Sequence, residues 1–340
     1  MEPKCEFVEV GIVLYQDVQL AAVHGLTDLF KIANEQAAGL ASERHKRVRV
    51  SHWGIADKES ESFTRTFDTE TSLINSAPQF LIIPPSLAEP ISKQNAATTA
   101  SWLKKNYTAG STICSICAGV FLLAETELLN GRVVTTHWGY AGELARRFPL
   151  VKVDTDQLLV QSERIVTAGG LMAWLDLGLH LVERAIGASA MFATARFLVV
   201  NPASREQKSF ASFIPALNHG DREILLVQEW LRQSQNWDTN LAAMAAQAGL
   251  KARTFIRRFI KATGLRPTEY CQHLRINKAR DMLELTDQSV EEISWAVGYE
   301  NSGALRKIFV KHIGLSPSEY RKKTNPRGEQ KPGELIGRAK

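Results

Sequence analysis

Cysteine is scarce in this chain: Cys5, Cys114, Cys117 and Cys271 are the only four in 340 residues. They form no ligand-like cluster with histidine, which argues against a disulfide framework and a structural metal site and favours reduced thiols. Long apolar runs are also missing. No stretch approaches the roughly eighteen apolar residues of a membrane span, and the apolar stretch 80–85 is at most a buried strand. A positively charged start followed by an apolar segment, the mark of a secretory leader, is absent too. What is left is an ordinary composition, 44% hydrophobic and 23% charged, in a chain long enough for two domains. The expected setting is the cytoplasm, with no cofactor, no metal and no membrane contact.

Charge is shared unevenly. The overall balance is +5, yet residues 231–340 hold 20 Lys/Arg against 11 Asp/Glu, while residues 1–230 hold 21 against 25. A basic end on a mildly acidic larger part suits one module that meets a polyanion and another that does not. A solubilising surface would give the same balance, so charge alone does not decide.

The first two hundred residues alternate strand-like and helix-like segments. Strands are expected at 8–15, 48–53, 80–83, 112–115 and 133–135, with a small ribbon over 63–69 and a strand pair across 151–167. A helical pattern runs through Leu26, Leu29, Phe30 and Ala33, with further helices at 95–106, 118–129, 139–147 and 171–186, and one ending near 198. This alternation argues for α/β architecture, a mostly parallel sheet covered on both faces. Residues 199–221, with Asn201, Pro202, Pro215, Asn218 and Gly220, show little periodicity and are expected to be a linker. Beyond them the pattern is all-helical: 222–234, 239–248, 252–262, 267–285, 289–297, 302–312 and 317–322. The tail 324–340 carries mixed charge with Pro326 and Pro332, and is expected to be disordered.

The helical part contains an internal repeat. Residues 242–270 align with 291–320: Gly249 falls on Gly298, and one residue further out of step Phe255 falls on Leu305, Phe259 on Phe309, Gly264 on Gly314, Pro267 on Pro317 and Tyr270 on Tyr320. One extra residue in the second turn accounts for the slip. Each copy suits a helix-turn-helix. A short helix points small or apolar residues inward (Ala242, Ala245 and Ala246 in one copy, Ile293 and Ala296 in the other), and glycine stands at the sharp turn. The next helix buries residues four apart. That spacing leaves Arg253, Thr254, Arg257 and Arg258 on the exposed arc of the first copy, and Asn301, Ser302, Gly303, Arg306 and Lys307 in the second. Arginine so placed can reach guanine O6 and N7 in the major groove, and Lys251, Lys261 and Lys311 suit phosphates. Two such units joined by the helix 267–285 would enter successive grooves of double-stranded DNA, about 34 Å apart. A protein-binding bundle would also repeat a helix pair; the duplicated spacing with outward arginines favours DNA.

Segments 250–259, 278–293 and 298–321 resemble the DNA-binding domain of the AraC/XylS family, and the resemblance extends over 222–323. Lys251 stands where that family commonly has serine or another small cap, which implies a weaker cap or an added phosphate contact.

In the front part, Cys117 follows an apolar strand and precedes Ala118, Gly119 and a helix. A sharp strand-to-helix turn would hold its sulfur above the sheet, with helix N–H groups lowering its pKa. His137, just beyond the next strand, would approach the same place and complete a Cys–His pair. The plainer alternatives are a buried cysteine acting as a small hydrophobe and a histidine packed beside Trp138.

This segment resembles the DJ-1/PfpI group, the class I glutamine-amidotransferase-like α/β sandwich of flavodoxin-like type. The resemblance implies a cysteine on an elbow and, in several members, hydrolase, hydratase or glyoxalase-like activity that needs a carboxylate in the segment matching 19–26. Ala22 occupies the acid's position, Pro84–Pro85–Ser86 replaces the usual glycine pair, and Asp17 and Asp28 lie elsewhere. A cysteine without its acid keeps a pocket and loses turnover. No catalytic residue is therefore assigned, and Cys117, Ala118, His137 and Ala22 are taken to line an effector pocket. Taken together, residues 6–323 resemble the GlxA-like branch of AraC-family regulators, segments 164–183 and 195–210 included. That resemblance implies a sensor and dimerisation domain over 6–198, a homodimer, an activator working with RNA polymerase, and a small, often nitrogen-containing effector. Two alternatives stay open: a bifunctional regulator with cysteine-dependent hydrolase or hydratase activity, and a constitutive DNA-binding protein whose front domain is structural.

Overall fold

In a computed structural model of the chain, the described residues are 6–40, 46–55, 62–70, 77–201, 207–233 and 240–324. They form two compact units that part between Gln207 and Lys208.

In the front unit, strands β1 (Glu6–Val13), β2 (Lys46–Ile55), β3 (Phe63–Asp68), β4 (Phe80–Ile83), β5 (Thr112–Ile116), β8 (Leu159–Ser162) and β9 (Ile165–Ala168) make one seven-stranded sheet. Its order is β3-β2-β1-β4-β5-β9-β8, while β6 (Val133–Val134) pairs separately with β7 (Lys152–Val153). The inner pairs are parallel and the two outer pairs antiparallel. Six helices accompany it: α1 (Leu20–Ala38), α2 (Lys93–Thr108), α3 (Gly119–Ala124), α4 (Ala141–Arg147), α5 (Trp174–Ile186) and α6 (Ala188–Phe197). The period of two divides the strand side chains between two cores. Val10, Ile12, Val50, Ile82, Cys114 and Val166 pack against Leu26 and Phe30 of α1 and Leu177 and Leu181 of α5. Val13, Leu81, Ile83, Ile113 and Ile165 face Leu103 of α2, Phe121 of α3 and Leu144 of α4.

Strand order reverses between β1 and β4, because α1 leads to one side of the sheet and α2 to the other. Open sheets of this kind take ligands in the crevice beyond the strand ends at such a reversal. Tyr15, Pro84 and Cys117 stand just past those ends.

The β2–β3 edge holds buried charge. Arg49, 2% exposed, donates through Nε to Asp68 at 2.8 Å and also through Nη2. Arg65 reaches Asp68 at 3.1 Å and Glu9 at 2.9 Å.

The second unit contains α7 (Arg222–Gln233), α8 (Leu241–Gln247), α9 (Ala252–Thr263), α10 (Pro267–Leu285), α11 (Val290–Ala296), α12 (Ser302–Ile313) and α13 (Pro317–Thr324). It has two apolar cores. Ile224, Val227, Met244, Phe255, Phe259 and Tyr270 build one, and Ile276, Leu283, Ile293, Leu305, Phe309 and Tyr320 the other. The long α10 feeds both, with Tyr270 at its start and Ile276 and Leu283 further on.

Four expectations change. The helix expected over 118–129 stops at Ala124, where Thr126 turns its hydroxyl onto the Leu123 carbonyl at 2.6 Å and competes with the helical ladder. The helix expected over 171–186 begins only at Trp174, after a turn in which Ala173 N–H donates to the Gly170 carbonyl. The ribbon expected over 63–69 is β3, an antiparallel edge of the main sheet. The segment expected to link the domains, 199–221, is divided between them. Gln207 is buried in the front unit, whereas Arg280 of α10 bonds Ser212 Oγ at 2.9 Å and Asn277 exchanges two hydrogen bonds with the Phe213 backbone. The tail expected to be disordered lies, beyond Thr324, outside the described residues.

Candidate nucleic-acid interface and the front-domain elbow

The two helix-turn-helix copies share their plan, with helices of equal length and one extra residue in the second turn. Asn240 caps α8 by accepting from Ala243 N–H at 2.9 Å, and Ser289 caps α11 with Glu292 closing a reciprocal box. Gly249 and Gly298 turn with φ of +63° and +79°, a region costly for any side chain. The longer second turn is tied by Trp295, whose Nε1 donates to the Glu300 carbonyl at 3.2 Å. Of the inward residues expected on the short helices, Ala245 and Ile293 are buried and the others are not. Met244, Ala245 and Ala248 are buried in one copy, and Ile293, Ser294 and Val297 match them in the other. Ala242, Ala246 and Ala296 are exposed, on the face opposite the buried positions i, i+1 and i+4.

On α9, Phe255 and Phe259 are fully buried, with ring centroids 5.3 Å apart. Arg253, Arg257 and Lys261 are exposed and Thr254 is half-buried, while Lys251 begins the helix without a side-chain cap bond. On α12, Leu305 and Phe309 are buried, and Gly303, Arg306, Lys307 and Lys311 are exposed around a half-buried Ser302. Asn301 is the helix cap, accepting from Ala304 N–H at 2.9 Å.

Among the described residues, Arg258 is engaged within the unit, unlike its neighbours. Its guanidinium grips Asp221 with two hydrogen bonds, at 2.9 and 2.7 Å, and also bonds Glu223. These bonds raise its pKa further and tie α9 to the start of α7, so its charge is matched within the unit. Spacing alone placed it on the exposed arc, but the repeat held the clue: its counterpart is the aliphatic Ile308. Two residues passed over in the sequence lie among the cations. Ile260 is 38% exposed on α9 and Val310, at the equivalent place on α12, is 41% exposed. Both suit contact with a thymine methyl.

In the front unit, Cys117 forms the elbow with φ +53°. Its N–H donates to the Ala168 carbonyl at 2.8 Å, and its carbonyl accepts from Thr136 Oγ1 at 2.9 Å. Glycine is needed at 119 because a Cβ there would lie 2.8 Å from the carbonyl oxygens of both Ile83 and Pro84. The thiol is buried, and burial pushes its pKa up to about 11, against the opposing pull of the Ala118 backbone N–H. The lowering expected from the helix start is thus overturned, since α3 has only six residues and water is excluded.

Ala22 is fully buried in α1, so a methyl fills the expected acid's place. His137 is half-buried, accepts from Gly139 N–H at 3.1 Å and packs on Trp138 with ring centroids 4.9 Å apart. Among the described residues no hydrogen bond joins the Cys117 sulfur to His137 or to a carboxylate. The titratable neighbours of the thiol are instead two phenols. Tyr15, which donates to the Pro84 carbonyl, and Tyr140 are both raised in pKa by burial first and by proximity to Cys117 second. A groove of about 1130 Å³ exists in this unit, but α1, the β2–β3 edge and the α5–α6 turn line it, and none of the elbow residues does.

Such a thiol is protonated at neutral pH, with a thiolate fraction on the order of 10⁻⁴. Iodoacetamide at pH 7 is therefore expected to leave the Cys117 peptide of the folded chain unmodified, as mass spectrometry would show. Rapid alkylation there would mean that the thiol is activated after all.

An α/β unit with a cysteine elbow, followed in the chain by a unit of two helix-turn-helix copies, has the make-up of a two-domain DNA-binding regulator. Comparison with known proteins agrees. The model of the DJ-1/PfpI family matches residues 39–184, and that of a helix-turn-helix domain matches 244–323. The HTH-type transcriptional regulator ArgR of Pseudomonas aeruginosa is 30% identical over 222 residues, which cover 64% of this chain and 67% of that protein. The regulator GlxA of Rhizobium meliloti is 25% identical over 240 residues, 69% of this chain and 73% of that protein. Among solved structures, the DNA-binding domain of AdpA in complex with a target DNA matches 32% of this chain and 98% of its own length, at 32% identity and a TM-score of 0.30. The chain belongs to the AraC-type transcription regulators that carry a DJ-1/PfpI-like N-terminal domain. It is a DNA-binding transcription regulator. No helix among the described residues is long and apolar enough to cross a membrane.

Proposed function

We propose that α9 and α12 enter two successive major grooves, and that a small metabolite held at the front-unit elbow changes this grip. One observation carries the first part: the same helix is presented twice, with Arg253, Arg257 and Lys261 outward in one copy and Arg306, Lys307 and Lys311 in the other. Arg253 and Arg306 are assigned to base edges, with Thr254 and Ser302 beside them. Lys251, Lys261, Lys307 and Lys311 are assigned to phosphates. Asn301 acts as a cap, and Gly303 lets the backbone come close to the duplex.

The test uses a duplex selected by the full chain from a random pool, with a scrambled duplex as reference. Arg253→Ala and Arg306→Ala are each expected to narrow the gap between the two by about ten-fold, whereas Lys311→Ala weakens both alike. Unchanged cognate binding in all three variants would remove α9 and α12 from the interface.

For the elbow, the supporting observation is Gln19 at the start of α1. Its N–H donates to the Pro85 carbonyl, and its Oε1 is buried without a partner among the described residues. That unmet acceptor suits a small guest with an N–H donor beside Cys117, Ala118 and Ala22, with His137 at the margin. A protonated thiol flanked by phenols favours binding over turnover, so the front unit is read as a sensor without catalysis. The chain would act in the cytoplasm as a homodimer and as an activator that works with RNA polymerase.

A further inference from the structure

Gln207 is the last residue of the front unit, 3% exposed. Its side-chain amide Nε2 donates to the Thr136 carbonyl at 2.9 Å, to Thr135 Oγ1 at 3.2 Å and to the Gln157 carbonyl at 3.3 Å. Its own N–H reaches the Asp156 carbonyl at 3.2 Å. Space for the amide is left by Gly169, where a Cβ would lie 1.8 Å from Gln207 Nε2 and 2.7 Å from the Thr136 carbonyl oxygen. Gly169 is not in the left-handed region, unlike Gly170 with φ +87°, so room for Gln207 and the adjoining strand is what glycine supplies there.

This seat adjoins the elbow. Thr136 gives its hydroxyl to the Cys117 carbonyl and its own carbonyl to Gln207, and Ala168, next to Gly169, accepts the Cys117 N–H. Just after Gln207 the chain is held again, by α10. Arg280 bonds the Ala211 carbonyl and Ser212 Oγ, and Asn277 bonds Phe213 twice. Residues 208–210 lie between the two anchors, and Phe210 itself has Lys323 Nζ over its ring, 5.3 Å from the centroid.

We propose that Gln207 is a releasable anchor through which the state of the elbow sets how firmly the front unit holds the chain where the DNA-binding unit begins. The seat is built to let go. Two amide protons serve three acceptors, and Gln207 Oε1 is buried with no partner among the described residues. A shift of Thr136, the residue shared with the elbow, removes the best of the bonds. Release removes the last hold that the front unit has on the chain before the DNA-binding unit begins. The link to an effector rests on the sensor reading above; the anchor itself does not.

Hydrogen exchange on the full chain tests it, read at the backbone amide of residue 207. Gln207→Ala keeps that amide and is expected to speed its exchange about ten-fold, with the DNA-binding unit's core amides unchanged. Thr136→Val leaves the Gln207 acceptor in place but frees the elbow carbonyl, and is expected to speed exchange at both 117 and 207. Linkage is reciprocal, so the selected duplex should change exchange at 207 in the parent chain. Parent-like exchange in Gln207→Ala would overturn the anchor, and parent-like exchange at 207 in Thr136→Val would overturn its connection to the elbow. No response at 207 to the duplex would reduce Gln207 to a structural residue. A metabolite screen that found no effector would leave all three results standing, which separates this inference from the sensor reading.

Discussion

Phe309→Ala is expected to cost about 3–5 kcal/mol and to unfold the second helix-turn-helix while the first stays folded. Phe309 is fully buried and meets the Tyr320 ring edge-on, with centroids 5.5 Å apart. Its core, with Ile293 and Leu305, is distinct from the one around Phe255 and Phe259. The cavity left behind therefore falls on one copy. Urea denaturation should split, one transition moving to low denaturant and one staying. DNA binding should keep only the contacts of α9, and the slope of log K against log salt should fall by about half. A single transition that moves as a whole would show that the two cores do not fold as separate units.

Arg49→Ala should damage the front unit by a similar amount, about 3–5 kcal/mol, by a different route. Arg49 is among the largest fully buried side chains, so packing is lost too, but Asp68 and Glu9 also lose a buried cation between them. Arg49 lies 2.8 Å from Asp68 and 3.9 Å from Glu9, and Arg65 alone cannot serve both acids as well. A pH signature separates this from loss of packing. Burial alone would raise the Asp68 carboxyl, but the Arg49 hydrogen bond, the Glu70 N–H and the two guanidinium charges outweigh it and hold the group below its usual value. A carboxyl lowered in this way stabilises the fold above its unfolded pKa, and that contribution is lost as pH falls through the folded value. The parent front unit should weaken below about pH 4, and Arg49→Ala should lose much of that slope. Urea titrations across pH 2.5–7 would show it, roughly the range in which a carboxyl changes charge. Equal slopes in parent and variant would mean that the pair does not couple to folding.

The duplicated DNA-binding unit was legible because its signals are local. Glycines at positive φ, phenylalanines four apart and proline at a helix start act within a few residues of themselves. The strands of the front unit were legible for the same reason, as their β-branched runs need no partner to be seen. What escaped depends on residues far apart in the chain. Arg258 looks outward by spacing, and only folding brings Asp221 to it from 37 positions away. Cys117 looks activated by the helix that follows, yet the sheet and two tyrosines bury it, and burial wins. Gln207 sits in a stretch without periodicity, and its meaning comes from Thr136, 71 positions earlier. Ala22 was legible as an absent acid, and the structure adds that its methyl is fully buried in α1.

The long α10 has a consequence for the genome this protein scans. At 19 residues it is a rod of about 28 Å, and both reading helices hang from it. A helix turns about 100° for each residue, so adding or removing one would swing one reader off the face of the duplex that the other occupies. Substitutions on α9 and α12 can rewrite the letters recognised, one side chain at a time. On the reading proposed for α9 and α12, the gap between the two words is held by a ruler that point mutations do not stretch, and target sites are expected to drift in sequence while their spacing stays constant.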